Sequence, residues 1–213
     1  MGKFLNNESD FENIVLKTEN EENKIESELD LESKKEEVSK EKIVGSIKLP
    51  SPPSVERPIN VTVSIETPER DEIIEQIKHF SESLKNKPEN IHEWIQLGNL
   101  RKAIGDYLGA IEYWKYASIL EPAYHVPFNN LGNIYQYYLN DMEKAEEYFK
   151  KMIKVSPNNE ESYRNLFQLY ANSYKEKKDL ARGVLEEGIK NVTHNENLKM
   201  MLENYKSENN ISE

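Results

Sequence analysis

From residue 67 onward the apolar residues recur every three or four positions, which is the spacing of one buried face of an α-helix. The first such run predicts a helix whose buried face is formed by Ile73, Ile74, Ile77, Phe80 and Leu84. Pro88 ends this run, because proline cannot continue a helix. Two more runs predict helices over about 91–104 and 107–120, separated by a short Gly-Asp turn. This part of the chain is therefore predicted to be all-α.

The helical pattern repeats along the chain with a period of about 34 residues. Phe80 stands one such period before Trp114, and Phe128 stands one period after Trp94. A repeat of this length indicates helix pairs that stack on their neighbours, since one pair cannot bury its apolar face alone. The sequence thus predicts a helical repeat protein.

One unit carries a recognisable signature of large and small residues. In order along the chain they are Trp94, Leu97, Gly98, Ala110, Trp114, Ala117 and Pro122. This order and spacing resembles the tetratricopeptide repeat (TPR). The resemblance implies an all-α superhelix of antiparallel helix pairs, a right-handed TPR-like solenoid, over about residues 67–207.

The resemblance also implies an order of units along the chain. We expect a half-unit at 67–90, repeats at about 91–124, 125–159 and 160–194, and a C-terminal capping helix at 195–207. The third repeat departs from the pattern, since Phe167 stands where the earlier repeats have Gly98 and Gly132. A small residue at this point lets two helices approach, so close helix packing is not expected in the third repeat.

Residues 1–66 are predicted to be a disordered acidic tail followed by a proline-containing linker. Apolar residues are too sparse over about 1–42 to offset the entropy of ordering the chain. Ile59, Val61, Val63 and Ile65 then alternate with polar residues, which is the period of an extended strand. Two interpretations stay open. The segment is an extended linker, or it is a short linear motif that adds to a partner's sheet edge or lies along a groove of the same domain.

Charge and missing motifs exclude several function classes. The net charge is -11, with more than half of it in residues 1–66, whereas nucleic-acid binders need a basic surface. There is no cysteine, the four histidines lack metal-ligand spacing, and phosphate-binding, nucleophile and zinc-protease motifs are missing. We therefore expect no enzyme activity, no metal and no cofactor. No signal peptide or membrane-spanning stretch is evident, which favours a cytoplasmic location.

The candidate binding residues are side-chain amides on the first helix of each repeat. If Trp94 and Leu97 face the core, steps of 100° per residue place Gln96 and Asn99 on the opposite side. In the family that this chain resembles, that side lines a concave groove. The equivalent positions form two rows, the first of Gln96, Asn130 and Asn165 and the second of Asn99, Asn133 and Gln168. Such rows can hydrogen-bond the backbone of an extended peptide, and they resemble the asparagine ladders of peptide-binding members. The alternative is that amides are simply frequent at these positions.

The leading hypothesis is a non-catalytic scaffold or adaptor that binds an extended peptide segment of a protein partner in the concave TPR groove. The alternative is a structural assembly subunit that docks through its N-terminal tail, with Val61–Ile65 as the docking strand, or through the convex and end surfaces of the repeats. The family's clamp for two carboxylates is not favoured, because its basic positions correspond here to Ile95, Glu161 and Asn165.

Overall fold

The computed structural model describes residues 49–209 of the chain. All regular structure in this range is helical, which confirms the all-α prediction. The greater part of the predicted acidic tail, residues 1–48, lies outside the described residues, as do residues 210–213. The chain divides into two compact units, one ending at Glu121 and one beginning at Pro122.

In its described part, from residue 49 onward, unit 1 contains three helices that pack in succession: α1 (Thr67–Asn86), α2 (Ile91–Ala103) and α3 (Tyr107–Leu120). Side chains cap the last two. The Asn90 side chain accepts a hydrogen bond from the Glu93 amide at 3.4 Å, and the Asp106 side chain accepts one from the Gly109 amide at 3.0 Å. The limits of α2 and α3 agree closely with those predicted from the apolar spacing.

Two fully buried tryptophans form the centre of unit 1. Trp94 donates from its ring nitrogen to the Pro88 carbonyl at 2.8 Å, and Trp114 donates to the Ile95 carbonyl at 3.2 Å. Gly98 makes room for the second ring, since a Cβ there would lie 2.4 Å from Trp114 Nε1. The large and small residues of the signature are therefore packing partners.

Unit 2 contains five α-helices in the described residues, with short π and 3₁₀ segments between them. In order these are α4 (His125–Ile134), a π segment (Tyr135–Leu139), α5 (Met142–Val155), α6 (Glu160–Gln168), a second π segment (Leu169–Ser173), a 3₁₀ segment (Lys175–Leu180), α7 (Ala181–Asn191) and α8 (Glu196–Glu208). From α4 to α8 each helix packs on the next.

The third repeat keeps a close helix contact by means of a different residue. Phe167 is buried and its ring packs edge-to-face on Tyr205 of α8, with centroids 5.3 Å apart. A Cβ at Gly188 of α7 would lie 2.8 Å from the Tyr163 ring. In the first two repeats the glycine that permits close approach lies on the first helix of the pair, whereas in the third repeat it is Gly188 on the second helix. The expectation of looser packing, drawn from Phe167, is wrong.

Residues 54–62, here called the strap, lie against unit 1, with a turn at Val55 and Glu56 and an extended run from Arg57 to Thr62. From Pro53 to Val61 the odd-numbered residues are half-buried and the even-numbered residues are exposed. The Thr62 amide donates to the Ile104 carbonyl at 2.9 Å. The alternation at Ile59 and Val61 therefore reflects a segment that lies on helices of the same domain, which is one form of the second interpretation left open, whereas Val63 is exposed.

Arg101 of α2 fixes the backbone of the strap. Its guanidinium is completely buried, and it donates from Nη1 to the Pro58 carbonyl and from Nη2 to the Arg57 carbonyl, both at 2.8 Å. The Tyr113 hydroxyl donates to the Ser54 carbonyl at 3.0 Å. These bonds explain why a segment with few apolar residues is ordered. Sequence spacing could not show them, because the bonded partners lie far apart along the chain.

Candidate functional site

The two predicted amides of unit 1 lie on α2, where Gln96 is exposed and Asn99 is half-buried. The side chains predicted to face the core, Trp94 and Leu97, are completely buried, and so is Arg101 one turn further along. The helical steps counted from the sequence therefore place the faces of α2 correctly. Whether Gln96 and Asn99 bind a ligand stays a prediction.

The structure joins two of the four predicted amides of unit 2 through a third residue, Asn129. The Asn129 Oδ1 atom accepts a hydrogen bond from Asn165 Nδ2 at 2.7 Å and another from Asn133 Nδ2 at 3.0 Å. Asn165 is buried, whereas Asn130 and Gln168 are half-buried and lie beside this amide cluster on α4 and α6. The cluster thus connects the first helices of two successive repeats.

The hydrogen bonds within the cluster determine which of its groups could bind a peptide. They use the carbonyl of Asn129 and one N–H each of Asn133 and Asn165. The groups that they do not use include the Asn129 Nδ2 donors and the Oδ1 acceptors of Asn133 and Asn165. A neighbouring donor and acceptor of this kind match the C=O and N–H groups of an extended backbone.

Asn129 is the residue that the sequence reasoning missed. The predicted rows run through Asn130 and Asn133, because these positions lie opposite the core residues Phe128 and Leu131. An available signal was the spacing of four between Asn129 and Asn133, which places two side chains side by side on a helix.

A cavity of about 430 Å³ lies in unit 2 beside the end of α6. Phe167, Met201 and Tyr205 supply its apolar lining, and Asn172 and Asn204 are among its polar residues. This volume lies within the range of small-molecule sites and is large enough for one or two side chains of a peptide.

The strap in unit 1 adds a second constellation of polar side chains. Arg57 Nε lies 2.8 Å from Asp106 Oδ2, and Arg57 Nη1 lies 3.4 Å from Glu112 Oε2. Arg101 Nη1 lies 3.3 Å from the same Asp106 oxygen. Asp106 therefore caps α3 and pairs with the side chain of Arg57. It also contacts the guanidinium of Arg101, which in turn binds the backbone carbonyl of Arg57.

Two glycines allow the strap to approach the helices. Gly105 has a φ of 82°, and a Cβ there would lie 2.1 Å from Thr62 Oγ1. A Cβ at Gly109 would lie 2.9 Å from Arg57 Nε. Any side chain at Gly105 or Gly109 would therefore collide with the strap, and glycine at both positions leaves room for it.

Tyr113 gives the strap contact a dependence on pH. Burial raises the pKa of Tyr113 to about 12, from 10.0 for an ordinary tyrosine. Below pH 10 both the folded and the unfolded chain hold this proton. Between pH 10 and about 12 only the unfolded chain loses it, so we expect unit 1 to lose about 2 to 3 kcal/mol of stability over that range.

The measurement is urea unfolding followed by tryptophan fluorescence, since both tryptophans belong to unit 1. Tyr113→Phe should be less stable at neutral pH but should lose less stability between pH 10 and 12. If the stability of Tyr113→Phe falls as steeply between pH 10 and 12 as that of the original chain, a group other than Tyr113 causes the loss.

Glu146 is a buried carboxylate of unit 2 with three hydrogen-bond donors around it. It accepts hydrogen bonds from Tyr170 at 2.8 Å, from Lys150 at 2.5 Å and from Lys177. Burial alone would raise the pKa of Glu146, but these donors outweigh it and hold the pKa below its ordinary value. A carboxylate so paired is a poor general base, and its bonds instead fix the Lys175–Leu180 segment to α5.

The described residues contain no group of three His, Asp or Glu side chains arranged to hold a metal ion. Among residues 49–209, no helix has both the length and the apolar character needed to cross a membrane.

Comparison with sequence models of protein families gives a match to the tetratricopeptide repeat at residues 127–159. The match covers α4 from Pro127 onward and all of α5, and it includes Asn129, Asn130 and Asn133. It coincides closely with the second repeat predicted at 125–159, so the resemblance stated from the sequence is confirmed. Repeats of this kind are generally protein interaction modules, and the family is typically non-catalytic.

Proposed function

We propose that this tetratricopeptide-repeat protein is a non-catalytic adaptor that binds an extended peptide segment of a protein partner. The proposed binding residues are those predicted from the sequence, namely Gln96 and Asn99 in unit 1 and Asn130, Asn133, Asn165 and Gln168 in unit 2. The proposal includes the cytoplasmic location that the sequence favours.

The amide cluster of α4 and α6 carries this proposal. A peptide backbone offers alternating N–H and C=O groups, so a receptor that binds it regardless of sequence needs donors and acceptors side by side. Asn129 orients the amides of Asn133 and Asn165 with hydrogen bonds of 3.0 and 2.7 Å. Preorganised groups lose less entropy on binding than mobile ones, which favours this face as the binding surface.

The cavity beside α6 supplies selectivity in the proposal. Hydrogen bonds to the backbone contribute about 1 kcal/mol each and do not distinguish one peptide from another. The Phe167, Met201 and Tyr205 lining would take the apolar part of a peptide side chain, and Asn172 and Asn204 would contact the adjacent backbone. Lys178, Glu208 and Asn209 also line the cavity and make most of its accessible surface polar, so the expected ligand is an extended segment whose inserted side chain is large and has a polar end.

The contacts of the strap disfavour the alternative in which Val61–Ile65 docks on a partner's sheet. Val61 and Ile65 are half-buried in their own unit, and the Thr62 amide is already bonded to Ile104. A docking strand would have to break these contacts first. The test also includes removal of residues 1–48, which lie outside the described residues.

The experiment is affinity purification from cytoplasmic extract of the native cell, with the full chain as bait. Asn130→Ala combined with Asn133→Ala should lower the affinity for the partner about 30-fold, since two hydrogen bonds are lost. Asn204→Trp, which fills the cavity from an exposed position, should lower it independently. Both variants should leave the circular dichroism spectrum unchanged.

The matched control is Asn158→Ala, which removes an amide from an exposed turn away from the amide cluster. A chain beginning at residue 49 tests the tail without removing the strap. Full recovery of the partner by the Asn130/Asn133 double variant would contradict the proposal. Loss of the partner only on removal of residues 1–48 would favour docking through the tail.

A further inference from the structure

We propose that the surface of α2 and α3 beneath the strap is a second peptide-binding site, specific for an extended segment that contains arginine, and that the strap occupies it within the same chain. This site lies apart from the amides proposed above. Its occupant makes backbone hydrogen bonds at Ser54, Arg57, Pro58 and Thr62, which is how a bound peptide is held.

The specificity of the site comes from one side-chain position. Asp106 and Glu112 both contact the Arg57 guanidinium, at 2.8 and 3.4 Å, and neither is fully exposed. A planar guanidinium can bond two carboxylates at once through separate N–H groups, whereas lysine has a single charged centre. The missing side chains at Gly105 and Gly109 provide the space for the ligand. The chemistry therefore selects arginine at this position of an extended ligand.

The strap is held by polar contacts along an open surface. Every second residue from Ser54 to Asn60 is exposed, and the half-buried residues between them keep part of their surface in solvent. Its advantage over a ligand from outside is its connection to α1, because a short tether gives an effective concentration of about a millimolar. An arginine-containing partner segment would therefore compete with the strap, and the site would be open when the strap is displaced.

The test uses a fluorescent peptide of residues 49–66 and a full chain in which residues 49–62 are replaced by a Gly-Ser linker of equal length. This chain should bind the peptide, and binding should raise the unfolding midpoint reported by the tryptophans of unit 1. A peptide carrying Arg57→Ala should bind at least about tenfold more weakly. In the unaltered chain the strap already fills the site. This chain should therefore bind either peptide at least about tenfold more weakly than the Gly-Ser variant binds the peptide with the natural sequence.

A second measurement covers the case in which the replaced chain does not fold. The full chain is given a protease site at Val63–Ile65 and is cut after folding. The free strap should stay with the helices on gel filtration, and the strap of an Arg57→Ala chain should separate. Equal behaviour of the two straps would overturn the specificity for arginine. Loss of both straps, or a folded replaced chain that binds no peptide, would overturn the site itself.

Discussion

Replacing Arg101 by methionine is expected to lower the free energy of unfolding of unit 1 by about 3 to 5 kcal/mol. The guanidinium is completely buried, and its two bonds of 2.8 Å to strap carbonyls are of the charge-assisted kind, which contribute about 1.5 to 3 kcal/mol each. Methionine fills much of the same volume, so the loss reports hydrogen bonds more than a cavity. Urea unfolding followed by tryptophan fluorescence measures unit 1 alone.

A truncation series provides the control for this prediction. A chain beginning at residue 49 keeps the strap and should unfold at the same urea concentration as the full chain. A chain beginning at residue 67 loses the strap and leaves the Arg101 charge without its two carbonyl partners, so it should be destabilised by a similar amount. In that short chain Arg101→Met should cost much less than in the full chain, because the partners are already gone.

If Arg101→Met instead costs under about 1 kcal/mol in the full chain, the strap is not held as described, and the second peptide site loses its structural basis. The series also affects the interpretation of deletion experiments. A chain cut at residue 67 is expected to be damaged in its repeats, so its failure to bind a partner would not show that the tail binds. The deletion that separates tail from repeats removes residues 1–48 only.

The helices of both units were largely predictable from the sequence because their signal is local. Apolar residues at helical spacing give each helix, and a break such as Pro88 or the Gly105 turn gives its end. The strap was predictable only as one of two interpretations of the period of two at Ile59 and Val61. An alternating pattern shows that one face of a segment is covered, but it does not identify the surface that covers it.

The candidate site was predictable only in part, for a related reason. Counting helical steps places Asn133 and Asn165 on the first-helix faces, but which amides touch depends on how α4 and α6 lie together. That geometry brings in Asn129, a residue outside both rows. Gly188 of the third repeat is a similar case. The residue at one position of the first helix does not show whether the small residue at the helix contact lies on that helix or on its partner.

The repeat glycine gives the last prediction, which concerns unit 2. Gly132→Leu is expected to lower the free energy of unfolding by at least about 3 kcal/mol, because a Cβ at Gly132 would already lie 2.4 Å from the completely buried Phe149 ring. The ring is completely buried in a packed interior, so we expect α4 and α5 to separate. Thermal and urea unfolding followed by far-ultraviolet circular dichroism would measure the loss.

The same substitution at Gly183 is the matched control, because a Cβ there would meet no atom within 4 Å. Gly183 is exposed on α7, so Gly183→Leu should stabilise the chain by up to about 1 kcal/mol through helix propensity alone. Opposite signs from one chemical change would show that ring contact, and not the loss of glycine as such, gives the cost. Equal and small effects at both positions would mean that α4 and α5 do not pack as closely as the Gly132 contact requires.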